Sequence, residues 1–293
     1  MLDDRSRLAC HLQWYLAENA ENIAHGLAQA FQKRGLPRAA LSDNGAAMTA
    51  AEITQGLARL GILHHTTLAY SPYQNAKSES FWSPVEGRLM AMLEHVPDLT
   101  LSVLNEATQA WVEQDYNGKI HSEIGEAPIT RFLAGPAVTR DCPPSDTLRL
   151  AFTRSDTRTQ RKSDGSIVIE GRRFEIPNRY RHLTRIEVRY ASWDLGHVQL
   201  VDERTGAVLA RLYPQDKTRN ASGLRRTLDP VSTASLESEP PTRPDPAIPP
   251  LLARMLDKQT TAGLAPPYLP KDDAPPDHRG PGNQDNTDDG ETT

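Results

Sequence analysis

Two carboxylates in this chain stand where a hard cation could be held. Asp43 follows the short apolar run Ala39-Ala-Leu41 and precedes Asn44-Gly45, a turn signal, which places it at the exposed end of a buried strand. Glu79 follows a loop containing Pro72 and Asn75. It opens a segment with Phe81, Trp82, Val85, Leu89, Met92 and Leu93 at helical spacing, which reads as a helix start. Between the two carboxylates lie 35 residues. A carboxylate at a strand tip and another on a helix's first turn can converge on one divalent cation. Mg²⁺ or Mn²⁺ suits them, because Mg²⁺ takes hard oxygen ligands, accepts one or two from protein, and keeps water and substrate phosphate for the rest. Taken singly, Asp-Asn-Gly is also an ordinary turn, and a Glu in a first helical turn is also a solvated residue favoured by the helix dipole.

The elements that must position these groups follow from periodicity. Residues 7–15 alternate loosely and read as a strand; Ala20 to Arg34 carries Ile23, Ala24, Leu27, Ala30 and Phe31 at helical spacing, with Glu18 and Glu21 near its start and Gly35-Leu-Pro37 as its stop. Asp43's strand, a helix over about 49–60 and a short strand over 62–68 come next. Adjacent residues of a strand face opposite ways, so His64 and His65 do not read as a ligand pair. Helices follow over about 77–95, interrupted by Pro84, and over about 101–117. Strands and helices in alternation predict an α/β architecture.

Composition adds bounds. With 293 residues there is room for about two domains. No run of 18 apolar residues exists, so no membrane span is expected, and the N-terminus lacks the apolar core of a signal peptide. Cys10 and Cys142 lie far apart and read as free thiols of a reducing compartment, a bacterial cytoplasm by default. The net charge of −5 hides a partition: −5 over residues 1–139, +7 over 140–228 and −7 over 229–293. The basic middle reads either as a phosphate-backbone contact or as an Arg-rich solvated sheet.

Ser42-Asp-Asn-Gly45, the 35-residue gap and Pro72-x-x-Asn75-x-x-x-Glu79 together resemble the second and third carboxylates of the DDE transposase and retroviral integrase superfamily, with Ala76 where Gly is more usual. Asn117, His121 and Pro128 are similar to the N-x-x-x-H-x-x-x-x-x-x-P segment of bacterial transposases. The resemblance implies a ribonuclease-H-like core over residues 1–135, metal-dependent cleavage and transfer of DNA strands, and a homo-multimer acting on double-stranded DNA. Asp43 and Glu79 would hold the metal, and Lys77 would contact DNA. The superfamily draws a third carboxylate from an Asp on the first strand. Here Asp3 and Asp4 fall in Asp-Asp-Arg-Ser-Arg, which looks like the second strand's region, so the resemblance implies an N-terminally truncated, catalytically incomplete copy. Asp3 and Glu86 are the reserve carboxylates.

After a linker expected over 136–154, five short alternating runs between 166 and 212 suggest a small all-β barrel. The order Asp-Gly, Gly-x-x-Phe, Val-Arg-Tyr, Trp-Asp resembles the C-terminal β-barrel of Mu-type transposases over residues 155–228. Arg172, Arg173, Arg179, Arg181, Arg185 and Arg189 are then the candidates for phosphate contacts; Trp193 reads as core or rim. From about residue 229 an acidic, Pro-rich tail is expected to be disordered, apart from a short amphipathic helix near 249–257. That helix folds either on a partner, an AAA+ ATPase by the resemblance, or on its own core. Three functions compete: a DDE transposase, a non-catalytic DNA-binding remnant, and a protein that recruits an ATPase.

Overall fold

The computed structural model describes residues 1–68, 76–97, 99–215 and 248–263. The loop from Pro72 to Asn75, the end of the expected β domain and most of the expected disordered tail lie outside these residues. The fold is mixed α/β, with a two-stranded parallel sheet, a four-stranded antiparallel sheet and a two-stranded antiparallel hairpin.

Helix α1 (Ala20–Arg34) starts where Asn19 accepts a hydrogen bond from the Asn22 N–H at 2.8 Å, an N-cap that satisfies one of the free amides of the first turn. It stops at Gly35, whose φ of +82° suits glycine and whose missing Cβ leaves room for the Arg140 carbonyl oxygen, 2.8 Å from where that atom would be. Strands β1 (Ala39–Ser42) and β2 (Leu63–Thr66) pair in parallel, Ala39 opposite Leu63, through helix α2 (Ala51–Arg59), the crossover that a parallel pair requires. Phe31, Ile53 and Leu57 form the core behind them together with Leu148 and Phe152. The last two belong to or adjoin helix α7 (Ser145–Ala151), so the segment 136–154 contains a packed helix rather than only a linker. Its stripe of Leu148, Ala151 and Phe152 is one turn long and was hidden in sequence by Pro143-Pro144 and flanking charges.

The helix expected from Lys77 to His95 is three pieces in one run: α3 (Ala76–Pro84), a wide π turn (Val85–Met90) and α4 (Ala91–Leu93). Pro84 has no N–H to donate, and the ladder loosens just beyond it. Helix α5 (Leu101–Trp111) likewise continues as a π turn over Val112–Tyr116, and α6 (Pro128–Leu133) follows. Val85, Leu89 and Leu93 pack with Trp111, Val112 and Tyr116. Helix α8 (Pro250–Thr261) lays Leu252 and Met255 into this same core. The amphipathic island of the tail therefore folds on its own chain, with Leu252 and Met255 covered while Leu251 stays 53% exposed.

The strand expected over residues 7–15 does not form; the segment makes only an isolated antiparallel bridge, Leu2 to Ala9. Leu8, Cys10 and His11 bond residues 1–3 through the main chain, and side-chain amides hold the rest of its backbone. Asn117 bonds both the N–H and the C=O of Ala9, Gln109 donates to the Leu12 carbonyl, and Asn105 bonds both backbone groups of Trp14. Residues 105, 109 and 117 lie four and eight apart along one helical run, so their amides share a side. Buried backbone groups must be paired, and here side chains do what a neighbouring strand would.

Among the described residues, six strands rather than five make the β unit: β3 (Arg154–Thr159), β4 (Ser166–Ile169), β5 (Arg172–Glu175), β6 (Arg185–Ala191), β7 (Asp194–Val201) and β8 (Val208–Leu212). The sheet order is β3-β6-β7-β8, with β4 and β5 as a separate hairpin over a shared core of Ile167, Ile169, Phe174, Val188, Tyr190, Val198 and Leu200. Strand β3 escaped the sequence pattern because the residues opposite Tyr190, Val188 and Ile186 are Arg154, Asp156 and Arg158. Arg59 joins the two halves: it donates to the Ala151 carbonyl at 2.8 Å and to Ser155 Oγ at 2.9 Å. Trp193 packs against the α1–α2–α7 core, at the junction. Among the described residues, no helix is long and apolar enough to cross a membrane.

Candidate functional site

Asp43 stands exposed just beyond the C-terminal end of β1, the end of a parallel pair at which ligands of open α/β sheets bind. Its turn is pinned. The Thr67 N–H donates to the Ser42 carbonyl at 2.8 Å and Asn44 Nδ2 donates to the Thr67 carbonyl at 2.7 Å. The Gly45 N–H donates to Asp43 Oδ1 at 3.0 Å, which fixes one carboxylate oxygen and leaves the other open. His64 reaches Ser42 Oγ at 2.9 Å, and burial pushes its pKa below the ordinary histidine value.

A second carboxylate meets this turn. A Cβ placed on Gly45 would lie 3.0 Å from Asp43 Oδ1 and 3.5 Å from Glu18 Oε1, so the two acids flank one glycine. Sequence reasoning had taken Glu18 only as an acidic residue near a helix start. No spacing could have flagged it, because the approach depends on how residues 9–14 are held by the helical amides.

Glu79 lies in the first turn of α3, exposed, and neither it nor Asp43 carries an ion pair among the described residues. Lys77, two residues before it, pairs with Asp4 at 2.5 Å. Lys77 and Ser80 line a cavity of about 250 Å³ with Arg7, Tyr116, His121 and Glu123. Arg7 is held in the left-handed region at φ 63° and grips Glu123 through Nη2 at 2.5 Å and Nε at 3.1 Å. Burial pushes the Tyr116 hydroxyl up to about 12, so it stays protonated and donates to the Arg7 carbonyl at 3.1 Å. The reserve Asp3 is committed to its own turn, accepting from the Ser6 N–H at 2.8 Å and Ser6 Oγ at 2.6 Å. Glu86 is exposed on the π turn.

The structure does not gather these acids into one cage. Among the described residues no group of three or more His, Cys, Asp or Glu is placed to hold a metal. Exposed carboxylates with free oxygens nevertheless have the chemistry of a Mg²⁺ site, since that ion retains several waters and needs few protein ligands.

The six arginines divide. Arg189 is structural, donating to Ser155 Oγ at 3.3 Å and to the Gly206 carbonyl at 3.2 Å. Arg173 pairs with Asp164 at 3.3 Å. Arg181 donates to the Asp164 carbonyl at 3.3 Å, and Arg179 lies 4.8 Å over the Tyr180 ring; both remain exposed. Arg172 and Arg185 are exposed on β5 and β6, without a hydrogen bond or ion pair among the described residues. Cys10 and Cys142 are free, and burial pushes the Cys10 thiol up to about 11, which makes it unreactive.

No family model matches the chain, and no curated protein matches it. Solved structures similar to it include a simian T-cell lymphotropic virus intasome in complex with PP2A regulatory subunit B56 gamma, at 17% identity and a TM-score of 0.35, covering 68% of this chain and 63% of that one. Another is the catalytic core domain of BIV integrase, at 23% identity and a TM-score of 0.35, covering 43% of this chain and 81% of that one. The chain thus spans about 63% of the length of the first of these.

Proposed function

We propose that this chain belongs to the machinery of DNA transposition or integration, with Asp43 and Glu79 as carboxylates of a site for metal-dependent cleavage and transfer of DNA strands. The observation that carries the reading is the pairing of sequence and placement. The two acids that match the superfamily's second and third carboxylates emerge exposed and unpaired, one at the end of a parallel strand and one on a helix's first turn.

Asp43 and Glu79 would hold Mg²⁺ or Mn²⁺, which when bound would activate the attacking oxygen and stabilise the leaving one. The chain's own residues do the positioning. The Gly45 N–H orients the Asp43 carboxylate, and the Asn44 amide on Thr67 fixes the turn that carries it. Exposed Arg172, Arg179, Arg181 and Arg185 of the β unit are the phosphate contacts, and Lys77 joins them beside Glu79; Arg173 and Arg189 serve the fold first. Double-stranded DNA is the partner, bound by a multimer of this chain. Mn²⁺-dependent nicking of supercoiled plasmid should be lost in Asp43→Asn and in Glu79→Gln, and nicking that persists in both removes these residues from the site.

A second reading, a DNA-binding protein without catalysis, is favoured by Arg172 and Arg185 standing free. It predicts affinity that falls steeply with salt, because phosphate contacts release counterions. An affinity indifferent to salt would eliminate it.

A further inference from the structure

Trp82 is an indole left on the surface beside the proposed site. It stands one helical turn after Glu79 in α3, is 43% exposed, and lies on the same side of the helix as Glu79 by its spacing of three. Its surroundings hold the ring without covering it: Trp14 meets it edge-on with ring centres 5.9 Å apart, and Phe81 lies 6.4 Å away at a tilt. The adjacent strip of the helix, with Lys77 and Ser80, faces the cavity that Arg7 and His121 also line. An aromatic surface and a polar hollow, lined by Lys77 and by the Arg7–Glu123 pair, thus adjoin one another on two neighbouring strips of one helix.

We infer that Trp82 is a stacking platform for an unpaired DNA base, and that the Lys77–His121 cavity receives the neighbouring phosphate. This rests on the reading of Asp43 and Glu79 as a DNA-strand site and specifies which form of DNA that site grips. A fully paired duplex hides its base faces, so only a frayed or single-stranded end offers one to an indole. Every base has such a face, so the contact does not depend on sequence. The charge balance allows the phosphate to enter. Asp4, the partner of Lys77, is 85% exposed, and ion pairs of that kind are held weakly, so a phosphate can replace it. Arg7 stays on Glu123 and shapes the wall.

The test uses the full chain and two probes with the same number of phosphates: a single-stranded oligothymidylate and a blunt GC-ended duplex without a loop. Indole emission should be quenched by the single strand, and Trp82→Phe should lose most of that quenching while keeping most of the affinity. Trp82→Ala should weaken single-strand binding by about five- to 150-fold, from the usual worth of one base–aromatic stack, and leave duplex binding unchanged. Lys77→Gln should lower the salt dependence by about one phosphate contact. Equal single-strand affinity in Trp82→Ala, unchanged quenching in Trp82→Phe, or no binding of the single strand by the unaltered chain would each overturn the inference. A Trp82→Ala variant that loses self-association in sedimentation but binds DNA as before would overturn it too, and would assign the indole to a protein interface. If Glu79→Gln nicks as well as the unaltered chain but the quenching pattern holds, the catalytic reading fails and the stacking site survives.

Discussion

The carboxamide of Asn117 clamps the backbone of Ala9 at both ends, accepting from its N–H at 2.9 Å and donating to its carbonyl at 3.1 Å. Asn117 is 1% exposed and Ala9 is equally buried. The π turn before it makes the approach possible: the Asn117 N–H reaches back five residues to the Val112 carbonyl, 3.0 Å away. Truncation to Ala would strand one buried donor and one buried acceptor, at about 1–3 kcal/mol each. Asn117→Ala should therefore lower stability by about 2–6 kcal/mol in urea denaturation, by that same bookkeeping. Asn117→Asp would turn a carboxylate oxygen toward the Ala9 carbonyl in a buried site and should cost at least as much at neutral pH. A midpoint unchanged in Asn117→Ala would mean that segment 9–14 is not held through these amides.

Gly56 gives a case in which two effects oppose. It sits inside α2, where replacing Gly by Ala normally stabilises a helix by about 1 kcal/mol. A Cβ there would lie 2.5 Å from Phe152 Cδ1 and 3.2 Å from the Ala151 carbonyl oxygen. Overpacking of this kind costs about 1–3 kcal/mol, so it should outweigh propensity. Gly56→Ala should melt lower than the unaltered chain, and Phe152→Leu in the same chain should restore part of the loss. A higher melting temperature in Gly56→Ala would show that α7 can retreat freely from α2.

Two buried histidines set an acid limit. Burial, with Lys33 nearby, pushes His11 down to about 3, and burial pushes His25 down to about 4. Both are neutral in the folded chain, whereas in the unfolded chain they protonate near pH 6.5. Below about pH 6.5 the unfolded state binds more protons, so stability is full above that value and falls as pH drops toward 4. Thermal denaturation at pH 7.5 and pH 5.0 should show the lower temperature at pH 5.0, and replacing both histidines by Asn should shrink the difference. The salt bridge of Glu123 acts in a separate window. Arg7 holds that carboxyl below the usual range, so its contribution is lost only on further acidification.

What could be read in advance divides along physical lines. Helices α1, α2 and α5 announced themselves: the apolar faces of all three repeat at helical spacing, and Asn19 and Gly35 end α1 and Thr100 opens α5 with local chemistry. Asp43 and Glu79 do lie at a strand end and in a first turn, which depend on short-range signals, but the strand before Asp43 is not buried as its apolar run implies: Leu41 is 57% exposed. Strand β3 was not legible, since its inward side chains are charged and form cross-strand and cation–π contacts: Arg154 lies 5.7 Å over the Tyr190 ring. Residues 7–15 misled for the opposite reason. They have a strand's pattern, but beyond the bonds of Leu8, Cys10 and His11 to residues 1–3, Ala9, Leu12 and Trp14 are held by Asn117, Gln109 and Asn105, some 90 to 110 residues away. Nothing local encodes a partner at that distance, and the approach of Glu18 to Asp43 was hidden with it.

Gly45 tests the geometry of the proposed site without touching a carboxylate. Its backbone lies outside the left-handed region, so Ala is tolerated there as far as φ is concerned. The added Cβ would sit 3.0 Å from Asp43 Oδ1, tighter than an ordinary contact, and 3.5 Å from Glu18 Oε1, which is not. The Asp43 side chain must turn aside by a few tenths of an ångström, straining the hydrogen bond that orients it. Misplacement of a positioned group by about 1 Å can cost 100-fold in rate, so a smaller shift should cost Gly45→Ala roughly three- to thirtyfold in Mn²⁺-dependent nicking. Mn²⁺ affinity, read by electron paramagnetic resonance of the free ion, should fall with it while the melting temperature stays nearly constant. A Gly45→Ala chain that binds Mn²⁺ and nicks normally, beside an inert Asp43→Asn, would mean that Asp43 acts through the oxygen facing away from Gly45. In that case Glu18, on the crowded side, has no part in holding the ion.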